Sequence, residues 1–323
     1  MADAAELAQV QPAAETPSPL AAMIADAATR QDSLAPLLAD LAQALNTPAT
    51  PPDVRNLAAR ILASPTPLDA DVTPAALIAA TQSSGLFLEA RLAAAADDAG
   101  TMLQLDLKAL LIQLSGELGA LIEPPATKAD AQRGNRARSA SEQIPPPPLP
   151  GGRMTGQPAA KPSFDADAQT GRLVRTLHQE VEGALARIEL AQAASIERTG
   201  ETTRWLFELP IATADGTGVA QFEISRDGAG AQGAGAAPSW RARFSIEPGG
   251  TGPVQADVML GHGRTRVLLA AQDDAARNAL AAHQHELASA LAADHGPDVA
   301  VRIVGGLPPT AGSPPGQLMD RRS

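Results

Sequence analysis

The chain has no cysteine and no tyrosine, and its aromatic side chains are two tryptophans and five phenylalanines among 323 residues. Without cysteine there is no disulfide bond, no thiolate metal ligand and no cysteine nucleophile. Much of the apolar content is alanine, which buries little area, so a large aromatic core is excluded. We therefore expect one modest core, with weakly packed or disordered chain around it.

Long apolar runs and excess positive charge are also missing. No run of about 18 apolar residues occurs, which argues against a transmembrane helix, and the start "MADAAELAQV" lacks the basic and apolar segments of a secretory signal. The formal net charge of -11 disfavours binding to nucleic acid or to anionic membranes, because that requires clustered Lys and Arg. We expect no nucleic-acid partner and no membrane insertion.

Residue types with catalytic chemistry are scattered along the chain. His283 and His285 stand two apart on a predicted helix, so they point about 200° apart and cannot share one metal ion. The glycine-rich stretches lack the lysine and the strand–helix context of a phosphate loop, and no GxSxG motif occurs. We predict no catalytic residue, no cofactor, no metal site and no enzymatic activity.

Apolar residues spaced by three and four predict helices in the first half of the chain. The spacing predicts a helix over 18–45, a short helix near 54–63, and a helix pair over 73–95 and 101–122. The clearest stripe consists of Leu103, Leu107, Leu110, Leu111, Leu114, Leu118 and Leu121. The later stretch "PPPPLPGG" favours a stiff, solvated spacer, with a docking site for a proline-binding module as the alternative.

Residues 166–197 repeat Val, Leu and Ile at near-heptad spacing and predict an amphipathic helix. This helix is expected to make a short coiled-coil contact, to lie against the next domain, or to form a stalk that leads to it.

After residue 200 the apolar period changes to two, which predicts strands. The strands are predicted at 204–210, 219–225, 240–247, 253–260, 264–270 and 299–304. The aromatic side chains predicted to face inward and form the core are Trp205, Phe207, Phe222, Trp240 and Phe244. Asp273 and Asp274 mark the start of a helix before the last strand, and Gly296 marks its end.

The predicted fold class is α+β: a small C-terminal mixed sheet with one packed helix, preceded by a helical, partly disordered Pro/Ala-rich N-terminal half. The predicted organisation is a disordered start (1–17), a helical region (18–122), a Pro-rich disordered linker (123–165), an amphipathic helix (166–200), a C-terminal α+β domain (201–306) and a disordered tail (307–323).

Four arginines alternate with apolar residues on two predicted strands. Arg241 and Arg243 lie on the outer face of one strand, and Arg264 and Arg266 on that of another. If the strands are neighbours, the arginines form a basic patch that suits an acidic partner segment; otherwise they are ordinary solvated strand faces. The candidate partner-binding residues are Arg241, Arg243, Arg264, Arg266, Gln255 and Asp257.

The segment from about 202 to 306 resembles the C-terminal domain of flagellar hook-length control proteins. The stretches that carry the resemblance are "GPVQADVML" (252–260), "RTRVLLAA" (264–271), "LAAHQHELASAL" (280–291) and "HGPDVAVRIVGG" (295–306). Upstream, "SSGLFLEARLA" (83–93) and "LQLDLKALLIQL" (103–114) resemble the helical segment that often precedes that domain.

The resemblance implies a non-enzymatic cytoplasmic protein that is then exported through the flagellar type III apparatus. Its N-terminal half would carry the export signal and act as a length gauge. Its C-terminal domain would contact the cytoplasmic domain of the export gate's switch protein and change export from rod and hook subunits to filament subunits. Hook or hook-cap subunits are further expected partners. The alternative is an adaptor or scaffold protein that binds a partner through its helical N-terminal half.

Overall fold

The computed structural model of the chain describes residues 18–64, 66–67, 72–94, 99–122, 149–196, 202–227 and 238–307. The predictions of a disordered start at 1–17 and of most of the tail fall outside these ranges. None of the helices within them combines the length and the apolarity that crossing a bilayer takes.

Helices fill the first half of the chain and return before the last strand. They are α1 (Pro19–Arg30), α2 (Leu34–Leu45), α3 (Pro52–Leu62), α4 (Pro74–Gln82), α5 (Leu88–Ala94), α6 (Ala99–Leu105), α7 (Leu107–Leu121), α8 (Thr170–Ile196), α9 (Asp274–Ala282) and α10 (Gln284–His295). The helix predicted before the last strand is thus two helices that meet at His283. It starts as predicted, because the Asp273 side chain accepts hydrogen bonds from the amides of Ala275 and Ala276.

Two sharp breaks interrupt the predicted helix pair. Gly85, between α4 and α5, has a φ of +92°, and a Cβ there would lie 2.7 Å from Lys108 Cβ. Only glycine tolerates both that conformation and that close approach. Asp106 separates α6 from α7 and caps α7 by accepting a hydrogen bond from the Ala109 amide at 3.2 Å.

One mixed sheet contains every strand of the described ranges, in sequence order. The strands are β1 (Thr66–Pro67), β2 (Thr203–Thr213), β3 (Gly216–Asp227), β4 (Ser239–Ile246), β5 (Val254–Gly261), β6 (Arg264–Ala271) and β7 (Val299–Gly305). Strands β2 to β6 form an antiparallel meander, whereas β1 and β7 pair in parallel with β2 and β6 at the two edges. The α+β prediction is confirmed.

The pairing register sorts the side chains onto two faces, because they alternate along each strand. The aromatic face carries Trp205, Phe207, Phe222, Trp240, Phe244, Val258 and Val267. The polar face carries Arg204, Leu206, Glu208, Gln221, Glu223, Arg241, Arg243, Ser245, Gln255, Asp257 and Arg266. The helices α9 and α10 connect β6 to β7 and pack on those two strands.

The largest buried cluster lies among α2, α3, α7 and α8, which together with α1 we call the helical body. Its fully buried members include Leu37, Leu41, Ile61, Leu111, Leu114, Leu177 and Val181. Val219 of β3 belongs to the same cluster, so the helical body packs directly on the sheet. It does so on the polar-face side.

Of the five aromatic side chains predicted to form the core, only Phe207 is buried. Trp205, Phe222 and Phe244 are half-buried, and Trp240 is 40% exposed. The rings nevertheless stack across the strands, with centroids 6.1 Å apart for Trp205 and Trp240 and 5.2 Å apart for Phe207 and Phe222.

The predicted linker over 123–165 enters the described ranges only from residue 149. From there the chain runs over the polar face, where Met154 and Gln157 are buried. Further along, Phe164 is buried in the cluster of the helical body. Helix α8 follows and lies against β2. This corresponds to the alternative in which the amphipathic helix packs against the next domain.

A buried ion pair joins α8 to the sheet. The Arg187 guanidinium contacts the Glu208 carboxylate through Nε and Nη2 at 2.8–2.9 Å, and its Nη1 donates to Gln31 Oε1 at 2.7 Å. The side chains of Arg187 and Glu208 are only 2% and 9% exposed. Both charges are removed from water here, and the attraction between them offsets part of that desolvation cost.

We predict that Glu208→Ala lowers the free energy of unfolding by about 3–5 kcal/mol, because it removes the carboxylate that the buried Arg187 guanidinium contacts through Nε and Nη2. Denaturant unfolding of the full chain measures this. The matched control is Asp298→Ala, which breaks the exposed Arg264–Asp298 pair and should cost under about 1 kcal/mol. Equal effects of the two variants would contradict the role of the buried pair.

A second buried acidic group ties α8 to α2. Burial raises the pKa of Glu180 from 4.5 to about 10, helped by the charge and hydrogen bond of Asp40 and by the charge of Asp32. Asp40, itself fully buried, accepts hydrogen bonds from Ser163. The Glu180 carboxyl is therefore protonated at neutral pH.

This group makes stability depend on pH. The folded pKa lies above the unfolded value, so the folded chain holds an extra proton between about pH 4.5 and 10. Stability contributed by this proton is complete at low pH and is lost as pH rises through that window. We predict that melting temperature falls from pH 6 to pH 9 in the wild type and falls less in Glu180→Gln. Glu182→Gln, which removes a more exposed carboxylate from the same helix, should keep the wild-type slope; equal slopes in all three would refute the assignment.

Candidate functional site

A polar cavity of about 370 Å³ opens on the polar face above β3, β4 and β5. Four of the predicted partner-binding residues line it: Arg241, Arg243, Gln255 and Asp257. Arg204, Glu223, Ser225 and Asp227 complete its polar wall. Strand alternation brings these side chains together, because each occupies the same face of its strand.

Ion pairs neutralise most of the charge in this cavity. Glu223, only 5% exposed, lies between Arg204 and Arg243, with an N–O distance of 3.1 Å to each. Arg241 Nε lies 2.9 Å from Asp257 Oδ1, and this hydrogen bond raises the pKa of Arg241 above its ordinary value. In the Arg204–Glu223 pair the arginine atom is Nε, which is buried beside Glu223 Oε1.

A second depression, of about 530 Å³, lies at the ends of β4, β5 and β6. Arg241 lines both depressions, and Arg264 and Arg266 line this one, beside exposed Trp240 and Met259. Strand β5 separates the arginine-bearing strands β4 and β6, so the four arginines do not form the continuous patch that neighbouring strands would give.

The residual positive charge at this end of the sheet is small. Arg264 Nε lies 2.9 Å from Asp298 in an exposed pair. Arg266 is exposed and has no ion-pair partner within the described part of the chain. Arg266 is therefore the arginine of this set that is best placed to meet an external carboxylate.

Residues 151–157, which we call the strap, cross the polar face beside the cavity in an irregular, extended course. Side chains of the sheet hold the main chain of the strap at five points. Gly151 N donates to Glu223 (3.1 Å), Gly152 O accepts from Arg243 (2.9 Å), Met154 O accepts from Gln255 (2.7 Å), Thr155 N donates to Gln221 (2.8 Å) and Gly156 N donates to Ser245 (3.1 Å). Gln157 then forms two main-chain hydrogen bonds with Val219, both 2.8 Å long.

Sequence reasoning missed Arg204, Gln221, Glu223 and the strap. Alternation along the strand predicted at 219–225 puts Gln221 and Glu223 on the face opposite Phe222, so this pattern could have added them to the site. The strap has no periodic apolar pattern, because its main chain rather than its side chains makes most of the contacts. Its residues were therefore assigned to the linker.

The site is suited to binding an extended chain. Within the described ranges no cluster of three or more His, Asp or Glu side chains is placed to hold a metal ion. Its donors and acceptors instead match the main chain of an extended peptide, as the strap demonstrates, and guanidinium groups suit carboxylates.

We predict that Gly156→Val dislodges the strap, because a Cβ at this position would lie 2.9 Å from the main chain of Ile246. Such overpacking should cost about 1–3 kcal/mol of stability. Tryptic cleavage after the exposed Arg153, followed by mass spectrometry, should become several-fold faster. Gly116→Ala, at a helical glycine with open space around it, is the control and should leave the cleavage rate unchanged. Unchanged cleavage in Gly156→Val would contradict the tight fit of the strap.

Comparison with known proteins finds a family match over the part of the sheet that begins with β4. Residues 228–305 match the family described as flagellar hook-length control protein FliK. No curated protein and no solved structure matches the chain. The matched segment contains β4 to β7 with α9 and α10, so the resemblance of the C-terminal domain to hook-length control proteins is confirmed. The match does not reach residues 83–114, whose resemblance to the preceding helical segment stays a prediction.

Proposed function

Because its C-terminal domain belongs to the flagellar hook-length control family, we propose that this chain controls hook length without enzymatic activity. In this proposal the C-terminal domain contacts the cytoplasmic domain of the export gate's switch protein and changes export from rod and hook subunits to filament subunits. The family match over 228–305 is the observation that carries it. The chain acts first in the cytoplasm and is then exported through the flagellar type III apparatus.

The contact surface in this proposal is the cavity on the polar face together with the second depression at the ends of β4, β5 and β6. Arg266 is exposed and unpaired within the described residues, and Trp240 and Met259 supply exposed apolar area beside it. An acidic segment of the partner would complement Arg266 and would compete with Asp257 for Arg241. Exposed charges of this kind affect mainly association rate and specificity.

The N-terminal half serves in the proposal as export signal and length gauge. Residues 18–122 would span roughly 350 Å if fully extended at about 3.3–3.6 Å per residue. In the folded chain, however, α1, α2, α3 and α7 are packed with α8 on the sheet. A gauge of this length therefore requires the helical body to unfold during export, and hook or hook-cap subunits would meet it in that extended state.

An adaptor or scaffold role is the second candidate, and one observation favours it. Helices α4, α6 and α7 expose large apolar side chains: Leu77 (42%), Ile78 (58%), Leu105 (65%), Ile112 (50%) and Leu121 (48%). Exposed apolar side chains on neighbouring helices are a common feature of docking surfaces. This candidate predicts that the helical half, rather than the sheet, carries the interaction.

Gene deletion followed by electron microscopy of the hooks tests the proposal. We expect overlong hooks without filaments, restored by the wild-type gene and by Arg302→Glu, a charge reversal elsewhere on the polar face. Arg266→Glu should leave hooks overlong, because it repels an acidic partner segment. Normal hooks in the deletion strain would overturn the proposal. If Ile78→Glu with Ile112→Glu abolishes complementation while Arg266→Glu restores it, the helical half is the working surface instead.

A further inference from the structure

The strap connects the candidate site to the helical body through one side chain. Gln157 Oε1 accepts hydrogen bonds from the amides of Leu34 (2.9 Å) and Ala35 (3.0 Å), the first residues of α2. Ser33, at the N-cap position of α2, makes no side-chain cap bond, so Gln157 caps this helix from 123 residues away along the chain. Its Nε2 also donates to Glu208, 3.3 Å away, which is the partner of Arg187.

The strap occupies the polar face in the way a bound peptide would. Its main chain, rather than its side chains, makes the hydrogen bonds to Gln221, Glu223, Arg243, Ser245 and Gln255. The strap fills only part of the groove, since the cavity beside it is lined by Gly151 and Met154 of the strap itself. Any extended segment with free main-chain groups can take over the same set of contacts.

The charges of the groove indicate which extended segment fits. Arg204 and Arg243 share the single carboxylate of Glu223, at 3.1 Å from each, and if the strap leaves, Arg243 also loses the Gly152 carbonyl that it now binds. A carboxylate would satisfy both guanidinium groups more strongly than a neutral carbonyl, because charge-assisted hydrogen bonds are stronger. The groove therefore favours an acidic extended segment over a neutral one.

We propose that the strap is an internal occupant of a peptide-binding groove, that an acidic extended segment of a partner replaces it, and that its departure uncaps α2 and loosens the helical body. The identity of this partner as the export-gate switch protein rests on the proposed function; the coupling between strap and α2 does not. Linkage makes the effect reciprocal. Pulling the helical body away from the sheet frees Gln157 and opens the groove, whereas a docked helical body keeps the groove closed.

This coupling makes binding of the partner in the groove depend on whether the N-terminal half is folded. While the N-terminal half is folded, the strap competes with the partner for the same hydrogen bonds. Once the N-terminal half is drawn out, α2 no longer holds Gln157, and the competition weakens. Extension of one half of the chain is thereby transmitted to the binding surface of the other half.

Hydrogen exchange on the purified full chain tests the coupling without any partner. In the double variant Gln221→Ala with Gln255→Ala, the strap loses the hydrogen bonds to its Thr155 amide and its Met154 carbonyl, while the Gln157 side chain that caps α2 is unchanged. We expect faster tryptic cleavage after Arg153 and about tenfold faster exchange of the Leu34 and Ala35 amides. Gln284→Ala is the matched control, because it removes a glutamine-to-carbonyl bond to Val301 outside the groove. Faster cleavage with unchanged exchange at Leu34 and Ala35 would overturn the coupling.

Binding measurements test the displacement. The probe is the purified cytoplasmic domain of the switch protein, titrated into the full chain. Gly156→Val and Gln157→Ala, which weaken the strap from its own side, should each bind about tenfold more tightly than the wild type. A synthetic peptide of residues 149–158 should compete with the domain for the Gly156→Val chain. Two variants are used so that misfolding of one leaves the other informative.

The outcomes separate the two proposals. Equal affinity of the wild type and both variants, with the strap still protected from trypsin in the complex, overturns displacement while the proposed function stands. If no form of the chain binds the domain and the deletion strain makes normal hooks, the proposed function fails and the switch protein is not the partner. The exchange experiment still decides the coupling in that case.

Discussion

The Arg187–Glu208 ion pair is the interaction on which the architecture depends. It joins α8 to β2 where both side chains are buried, and Gln31 and Gln157 add hydrogen bonds from two further segments. Four parts of the chain that are distant in sequence therefore meet at one pair of charges. A buried pair of this kind adds little net stability by itself, but it penalises any arrangement in which the two charges separate. It determines the orientation of the helices on the sheet more than it adds to the stability of their packing.

This arrangement changes how the N-terminal half is understood. The sequence suggested loose helices before a single compact domain, whereas the structure packs the helices into the larger of the molecule's buried clusters and places Val219 of the sheet in the same cluster. The role of alanine explains the difference. Residues such as Ala35, Ala44, Ala58 and Ala184 are fully or almost fully buried, because small side chains let helices approach closely. A composition poor in aromatics thus still permits a dense helical core.

Local patterns predicted the sheet well, because alternation with period two is set by the strand itself. Trp205, Phe222, Phe244 and Val258 share one face as expected, and Arg241 and Arg243 share the other. Which face is covered depends on contacts distant in sequence, and this could not be derived from the pattern. The strap was missed for the same reason, since Gly156 and Gln157 act through main-chain approach and a single amide. Likewise, the break at Gly85 follows from its contact with Lys108, which no local signal records.

The two tryptophans of the chain stand side by side on the aromatic face of the sheet, and the described helices contain neither. Intrinsic fluorescence therefore observes the sheet alone, whereas far-ultraviolet ellipticity is dominated by the helices. The molecule thus has separate optical signals for its two halves, without any added label. Helical signal that disappears while tryptophan emission persists would identify a state in which the helices have left and the sheet remains folded. Stretching the chain by its N-terminus should pass through that state before the emission changes.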